Sequence, residues 1–260
     1  MNITVSTYLE SIKSNAYQRD ITITNSIATI KNRLNGYFAG ELVSHFVFGS
    51  YSRNTMLPRS YDPSSDVDYM VVFKNVIYQP QTYLNKLRDF VNYYYRTSEI
   101  KQSHPTIQLN LNHITFELVP ASHNILFGYQ IPSNQDFLNR WMNTDPNAFN
   151  TDLTNCNKNN NNLIKPLIRI MKYWNANAGY VFESYQLEKD IVSFNYFWCS
   201  TLKEYFYSAV EQLSGSYYLA QWKKDKIQHL KNSVMMSKYY EQLNNHFAAE
   251  NEIKKILPIK

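Results

Sequence analysis

Residues 46–73, FVFGSYSRNTMLPRSYDPSSDVDYMVVF, constrain this chain more than any other stretch. Two short apolar runs flank a small-residue turn and a pair of aspartates, a pattern that predicts strand, turn, loop and strand. The first run, 43–48, ends at Gly49-Ser50. Glycine there lets a backbone N–H come close to a bound anion, and the serine hydroxyl adds one more donor, so the turn is a candidate phosphate seat. The second run, 67–73, is β-branched and aromatic and carries Asp66 and Asp68 at its start, where a period of two puts both carboxylates on one face. Adjacent carboxylates repel, and a divalent cation, Mg²⁺ before others, is the economical way to hold them together. Taken singly, a D-x-D at a strand end is an ordinary surface pair and Gly-Ser an ordinary turn.

The rest of the chain can support a folded enzyme. Its 260 residues are 44% hydrophobic and 15% aromatic, with 22 tyrosines and only six glycines, which excludes a disordered or low-complexity protein. Cys156 and Cys199 make neither a disulfide framework nor a metal-binding pattern, so two reduced thiols are expected. The opening MNITVSTYLESIKSN has no basic and apolar leader pattern, and no run approaches the ~18 apolar residues of a membrane span. A cytoplasmic protein without membrane contact is expected. The net charge of +5 suits a polyphosphate ligand without marking a general nucleic-acid binder. Lys223, Lys224, Lys226 and Lys231 share one predicted helix, read as a solvated face or as a basic surface for RNA or DNA.

Thr7-x-x-Glu10 offers a capping box, and Tyr8, Ile12, Ile23, Ile27, Ile30 and Leu34 recur at helical spacing, predicting one or two helices before the first strand. His45 in that strand is read as a packed or hydrogen-bonded histidine. Between Ser50 and Asp66, Pro58 and Pro63 keep a polar loop from becoming a long helix, and either Arg53 or Arg59 could touch a phosphate or lie in solvent. A helix over 81–96 and strands over 106–111 and 114–119 follow. In the second of these strands Ile114, Phe116 and Leu118 face the core, so Glu117 stands with Thr115 on the other side, a candidate third carboxylate. The polar run 156–162 reads as a loop or a weak helical turn. Residues 163–174 form a helix with Leu163, Leu167, Ile170, Met171 and Trp174 in one stripe and Lys165, Arg169 and Lys172 off it, predicting a basic edge. Ser184 would cap the next helix. Residues 191–257 read as helical, broken at Ser214-Gly215-Ser216.

Gly-Ser followed by Asp-x-Asp resembles the signature of the DNA polymerase β nucleotidyltransferase superfamily. More narrowly, GSYSRNT…DVDYMVVF, FELVPA and IRIMKYWN…SYQLE resemble the bacterial cyclic-oligonucleotide synthases of SMODS type, relatives of cyclic GMP-AMP synthase and the oligoadenylate synthases. Ile131-Pro132, Trp141, Thr144 and Pro146 match scattered positions, and Asn54-Thr55 stands where the family often has Gly-Thr. The resemblance implies an α/β (α+β) fold: a polymerase β-like palm with N-terminal helices over 1–130 and a helical nucleotide-binding lobe over 131–260, with the active site in the cleft. It implies Asp66, Asp68 and Glu117 as catalytic ligands of two Mg²⁺ ions, replaceable by Mn²⁺. It further implies Gly49, Ser50, Lys172 and Ser184 on a triphosphate and Tyr185 stacked on its base. The implied activity is synthesis of a cyclic di- or trinucleotide second messenger from nucleoside triphosphates, ATP among them, in antiphage signalling. Nucleotidyl transfer to RNA, a protein or a small molecule, linear oligonucleotide synthesis, and an inactive nucleotide-binding regulator stay open as alternatives. Nucleoside triphosphates are the expected partners, with an activating ligand or regulatory protein as a further candidate, nucleic acid left open, and a monomer expected.

Overall fold

The computed structural model describes residues 4–17, 20–74, 77–103, 105–124, 128–133, 140–215 and 218–259. Along them run α1 (Val5–Asn15), α2 (Ile21–Tyr37), β1 (Leu42–Val47), α3 (Gly49–Arg53), β2 (Asp66–Phe73), α4 (Pro80–Tyr94), β3 (Glu99–Ser103), β4 (Thr106–Asn110), β5 (Thr115–Asn124), β6 (Gly128–Pro132) and β7 (Trp141–Thr144). Six helices follow: α5 (Ala148–Asn159), α6 (Ile164–Asn177), α7 (Ser184–Ser193), α8 (Leu202–Gln212), α9 (Gln221–Gln242) and α10 (His246–Ile256). This is the mixed α/β architecture that the resemblance implied.

By internal contacts the chain forms two units: a sheet unit of Arg19–Arg59 and Ser64–Asn150, and a helical unit of Met1–Gln18, Ser60–Pro63 and Thr151–Lys260. The division departs from the expected boundary at 130. The β6–β7 hairpin stays with the sheet because β6 pairs with the end of β5, and α1 joins the helical unit.

In the sheet unit the strand order is β1-β2-β5-β4-β3, with β6 on β5 and β7 on β6. β2 and β5 are parallel and the other pairs antiparallel. Alternation decides the faces. Val67, Tyr69, Val71 and Phe73 of β2 and Phe116 and Leu118 of β5 are buried in a core with Ile30 and Leu34 of α2 and Leu84, Leu87 and Phe90 of α4. Each such side chain contributes roughly 1.5–3 kcal/mol by leaving water. Pro80 starts α4, where its missing N–H has no partner to lose. β3, β6 and β7 are strands that the sequence pattern does not announce; β3 (EIKQS) is an edge strand with little apolar alternation.

In the helical unit, α1 is capped by Thr4, whose hydroxyl accepts from the Thr7 N–H, so Thr7 closes the box as its third residue and does not open it. The polar run 156–162 divides: α5 extends to Asn159, and Asn161 and Asn162 take left-handed conformations (φ 55° and 59°) before α6 begins. α6 is buried nearly all round, so the expected basic edge does not form. Arg169 and Lys172 are only 5% and 6% exposed. The Arg169 guanidinium lies over the Tyr17 ring, 4.6 Å from its centre, and burial lowers its pKa to about 10. α8 ends at Gln212, and Ser214 and Gly215 follow in non-helical conformation; Ser216, the third residue of the expected break, lies outside the described residues. The four clustered lysines do share α9, where Lys223 lies 5.4 Å from the centre of the Trp222 ring and Lys231 donates to the Glu211 carbonyl at 3.1 Å. Both cysteines are free thiols, pushed up in pKa by burial. Among the described residues no helix is long and apolar enough to cross a membrane.

Candidate functional site

The face of the sheet opposite α2 and α4 is polar at the start of β2. Register builds it in rows: Asp66 stands beside Thr115 of β5, which pairs with Asn110 of β4, and Asp68 stands beside Glu117, which pairs with Gln108. Strands ~4.8 Å apart with paired residues on one side bring Asp68 and Glu117 onto the same patch, with Asp66 one pleat away. All three carboxylates are half-buried, between the buried Val67, Tyr69, Phe116 and Leu118. Farther along β2 the same face turns apolar, with Met70, Val72 and Ala121 packed against Phe46, Phe48, Tyr129 and Ile131.

The Gly-Ser turn reaches this patch because the Phe48 N–H donates to the Asp68 carbonyl at 3.0 Å. Gly49 follows with φ +66°, and a Cβ there would fall 1.8 Å from Asp68 Oδ2, so a side chain at 49 would push the carboxylate from its present place. The Ser50 carbonyl then gathers the N–H groups of Thr55 (3.0 Å) and Met56 (3.2 Å), folding the chain back after the short α3. Asn54 takes the left-handed conformation (φ 61°) that asparagine tolerates.

Second partners hold the patch. Gln108 Nε2 donates to Glu117 Oε1 at 2.8 Å, leaving the other carboxylate oxygen of Glu117 to turn elsewhere. Arg59 Nη2 donates to Thr115 Oγ1 at 2.6 Å and its Nε to the Ser65 carbonyl at 3.4 Å, and Thr115 donates to Asn110 Oδ1 at 2.8 Å. Neither loop arginine lies in solvent: Arg53 is buried over the Phe149 ring. Behind Asp68, Tyr69 shares a 2.8 Å hydrogen bond with His45 Nδ1, whose Nε2 meets Asn35 Oδ1 at 2.8 Å. Burial pushes the Tyr69 hydroxyl up to about 12 and, with Lys31, the imidazole down.

The three carboxylates offer the hard oxygen ligands that Mg²⁺ takes, and their common face suits it. Among the described residues no three His, Cys, Asp or Glu side chains stand together as a ready ligand cluster. The donor chemistry and the common face suit a divalent ion, but the three side chains are not drawn together into a site ready to hold one.

The helical unit carries the other expected site residues. Lys172 on α6 is ion-paired with Glu188 of α7 at 3.3 Å, both side chains nearly inaccessible (6% and 1%). Ser184 is the first residue of α7 and not its cap; Glu183 occupies the cap position without a side-chain hydrogen bond. Tyr185 is 48% exposed, with Lys189 Nζ 5.1 Å from its ring centre. Pattern alone assigns no role to Gln108, Thr115 or Glu188. The alternation of TIQLN carries a signal for Gln108, while the partner of Lys172 lies 16 residues away with no local sign.

Comparisons with known proteins agree with this architecture. The chain is 27% identical over 220 residues to a probable cyclic nucleotide synthase of Bacillus cereus (strain VD146), covering 70% of this chain and 65% of the relative. It is 26% identical over 147 residues to the cyclic AMP-AMP-AMP synthase of an Acinetobacter strain, covering 55% of this chain and 42% of that one. The matches thus span less than two thirds of either relative. In fold it is similar to the CD-NTase CdnG of Bradyrhizobium diazoefficiens, solved in complex with GTP, with a TM-score of 0.71 at 10% identity over 96% of this chain and 97% of that one. Residues 2–157 match the model of the Second Messenger Oligonucleotide or Dinucleotide Synthetase domain, and the chain belongs to that family, SMODS.

Proposed function

We propose that this protein is a metal-dependent nucleotidyltransferase that joins nucleoside triphosphates into a cyclic di- or trinucleotide, a cytoplasmic second messenger made in defence against phage. The observation that carries the reading is the approach of the Gly49-Ser50 turn to Asp68, with Glu117 in register beside that aspartate. A turn suited to phosphate stands against carboxylates suited to a cation. Family membership supports it, as do the relative named for a cyclic triadenylate and the neighbour that holds GTP.

In this reading Asp66, Asp68 and Glu117 supply oxygen ligands to two divalent ions, Mg²⁺ or Mn²⁺. Bound there, the ions would supply Lewis acidity that lowers the pKa of an attacking ribose hydroxyl and neutralises charge on the phosphates. Gln108 keeps one Glu117 oxygen occupied and so orients the other. The Gly49 N–H and the Ser50 hydroxyl donate to the triphosphate. Lys172 exchanges Glu188 for a phosphate oxygen, Ser184 adds a hydroxyl donor, and the exposed ring of Tyr185 stacks on the base. No side chain acts as a nucleophile. The sheet unit serves as palm and the helical unit as nucleotide-binding lobe, working as a monomer whose output an activating ligand or regulatory protein sets.

The test is incubation of the purified protein with radiolabelled ribonucleoside triphosphates and Mg²⁺ or Mn²⁺, followed by phosphatase. A phosphatase-resistant species that needs the metal is expected, and omitting one triphosphate at a time names its bases. Label transferred to added RNA or protein instead would replace the cyclic product by a macromolecular acceptor.

A further inference from the structure

The loop between α3 and β2 crosses from one unit to the other and back. Arg59 and Ser64 belong to the sheet unit, while Ser60–Pro63 belongs by its contacts to the helical unit. Two residues fasten that strap. Tyr61, 8% exposed, sets its ring edge-on against Tyr173 of α6, with centres 4.7 Å apart. Asp62, 6% exposed, accepts a hydrogen bond from the Tyr180 hydroxyl at 2.6 Å.

Tyr180 is itself held in an unusual way. It has φ +60°, directly after Gly179 at φ +86°, a left-handed conformation that a bulky side chain adopts only where its surroundings demand it. Those surroundings are visible. Asn175, 1% exposed, donates to the Phe182 carbonyl at 2.8 Å and accepts from the Phe182 N–H at 2.9 Å, and its own carbonyl accepts from the Tyr180 N–H at 2.8 Å. The turn between α6 and α7 is thereby shaped to present the tyrosine hydroxyl to Asp62. Lys172 precedes Tyr173 on α6, and Ser184 and Tyr185 open α7 just beyond the turn.

On the other side of the strap the chain is pinned to the sheet by Arg59, through Thr115, the register partner of Asp66, and through the Ser65 carbonyl. Only three residues separate Asp62 from Asp66. Four residue steps reach at most about 14 Å, so Asp62 and Asp66 are tied within that distance of one another.

We propose that Tyr180 and Asp62 are positioning residues: their hydrogen bond makes the placement of Asp66 and Asp68 depend on the α6–α7 turn beside the nucleotide-binding residues. This rests on the nucleotidyltransferase reading above. Neither residue touches the substrate in this scheme, so their loss alters the rate of the reaction and leaves nucleotide affinity in place.

Tyr180→Phe removes the hydroxyl and keeps the ring, Asp62→Ala removes the acceptor, and Asp62→Asn keeps an oxygen that can accept. Tyr180→Phe and Asp62→Ala are each expected to lower kcat about tenfold, the worth of one hydrogen bond to a charged group, with KM within about twofold. Asp62→Asn should stay near wild type, and the Tyr180→Phe/Asp62→Ala double variant should be no slower than either single one. Hydrogen exchange of the unliganded proteins reads the link without turnover: exchange at the amides of 64–68 should rise in Tyr180→Phe and not in Asp62→Asn. Unchanged kcat in both damaging variants, or exchange that rises at 178–182 and not at 64–68, overturns the proposal. A wild type that turns over no nucleotide would overturn the parent reading, and the exchange comparison would still decide the strap.

Discussion

A Cβ on Gly49 would stand 1.8 Å from Oδ2 of Asp68, closer than any two such atoms can come. The bare backbone of Gly49 therefore leaves the Asp68 carboxylate its present place, and a side chain at 49 would displace it.

Gly49→Ala tests that fit. The left-handed φ costs an alanine about 1–2 kcal/mol, and the Asp68 carboxylate must in addition swing away from its place. The expected outcome is a modest fall in stability by urea unfolding and at least about a hundredfold loss of product formation, on the scale of removing one key electrostatic group. A Gly49→Ala enzyme with wild-type turnover would separate the turn from the site.

Asp66→Asn with Asp68→Asn keeps shape and removes charge. Both side chains are half-buried on the polar face, away from the apolar core, so the fold should persist, with the far-UV circular dichroism unchanged. Turnover should drop at least about a hundredfold. Metal binding followed by calorimetry should vanish in parallel, and retention of near-wild-type turnover would remove the carboxylates from the mechanism.

Lys172 has a structural partner as well as a proposed ligand, and the two roles can be parted. Removing only the lysine takes the opposite charge away from the buried Glu188 carboxylate, at a cost of roughly 3–5 kcal/mol. Lys172→Met with Glu188→Leu replaces the buried pair by apolar groups of similar size and should restore stability to near wild type. The double variant should still bind nucleoside triphosphate about tenfold or more weakly, as loss of a charged hydrogen bond implies. Wild-type affinity in the double variant would cancel the assignment of Lys172 to the triphosphate.

His45 ties stability to pH. Burial, aided by Lys31, holds its folded pKa below the unfolded value of about 6.5, so the unfolded chain takes the proton more readily. Its contribution is complete above about pH 6.5 and is lost as pH falls through the lower folded pKa. The thermal midpoint should therefore drop between neutral and mildly acidic pH, and His45→Gln should flatten that slope. An unchanged slope would assign the loss to other groups.

Much of the sheet unit is legible in the residue order. At the start of β2 and in the matching part of β5 a period of two shows which face is buried, and it places Asp66, Asp68 and Glu117 opposite that side; farther along β2 both faces are apolar. The turn at Gly49 and the left-handed Asn54 are equally local. α6 is legible as a helix and not as a buried one, because its charged residues are accommodated by partners from elsewhere: the Tyr17 ring for Arg169 and Glu188 for Lys172.

Periodic and local features are thus written directly in the amino-acid order, for periodicity records which way a side chain points. The partners are chosen by folding: β2 runs parallel to β5 with Asp68 against Glu117, Gln108 holds Glu117, Arg59 reaches Thr115, and Ser60–Pro63 leaves the sheet unit to meet Tyr173 and Tyr180. Such contacts join residues as far as 118 positions apart, as in Tyr180 with Asp62. The order in which strands pair and helices pack is a property of the whole folded chain, and no local pattern encodes it.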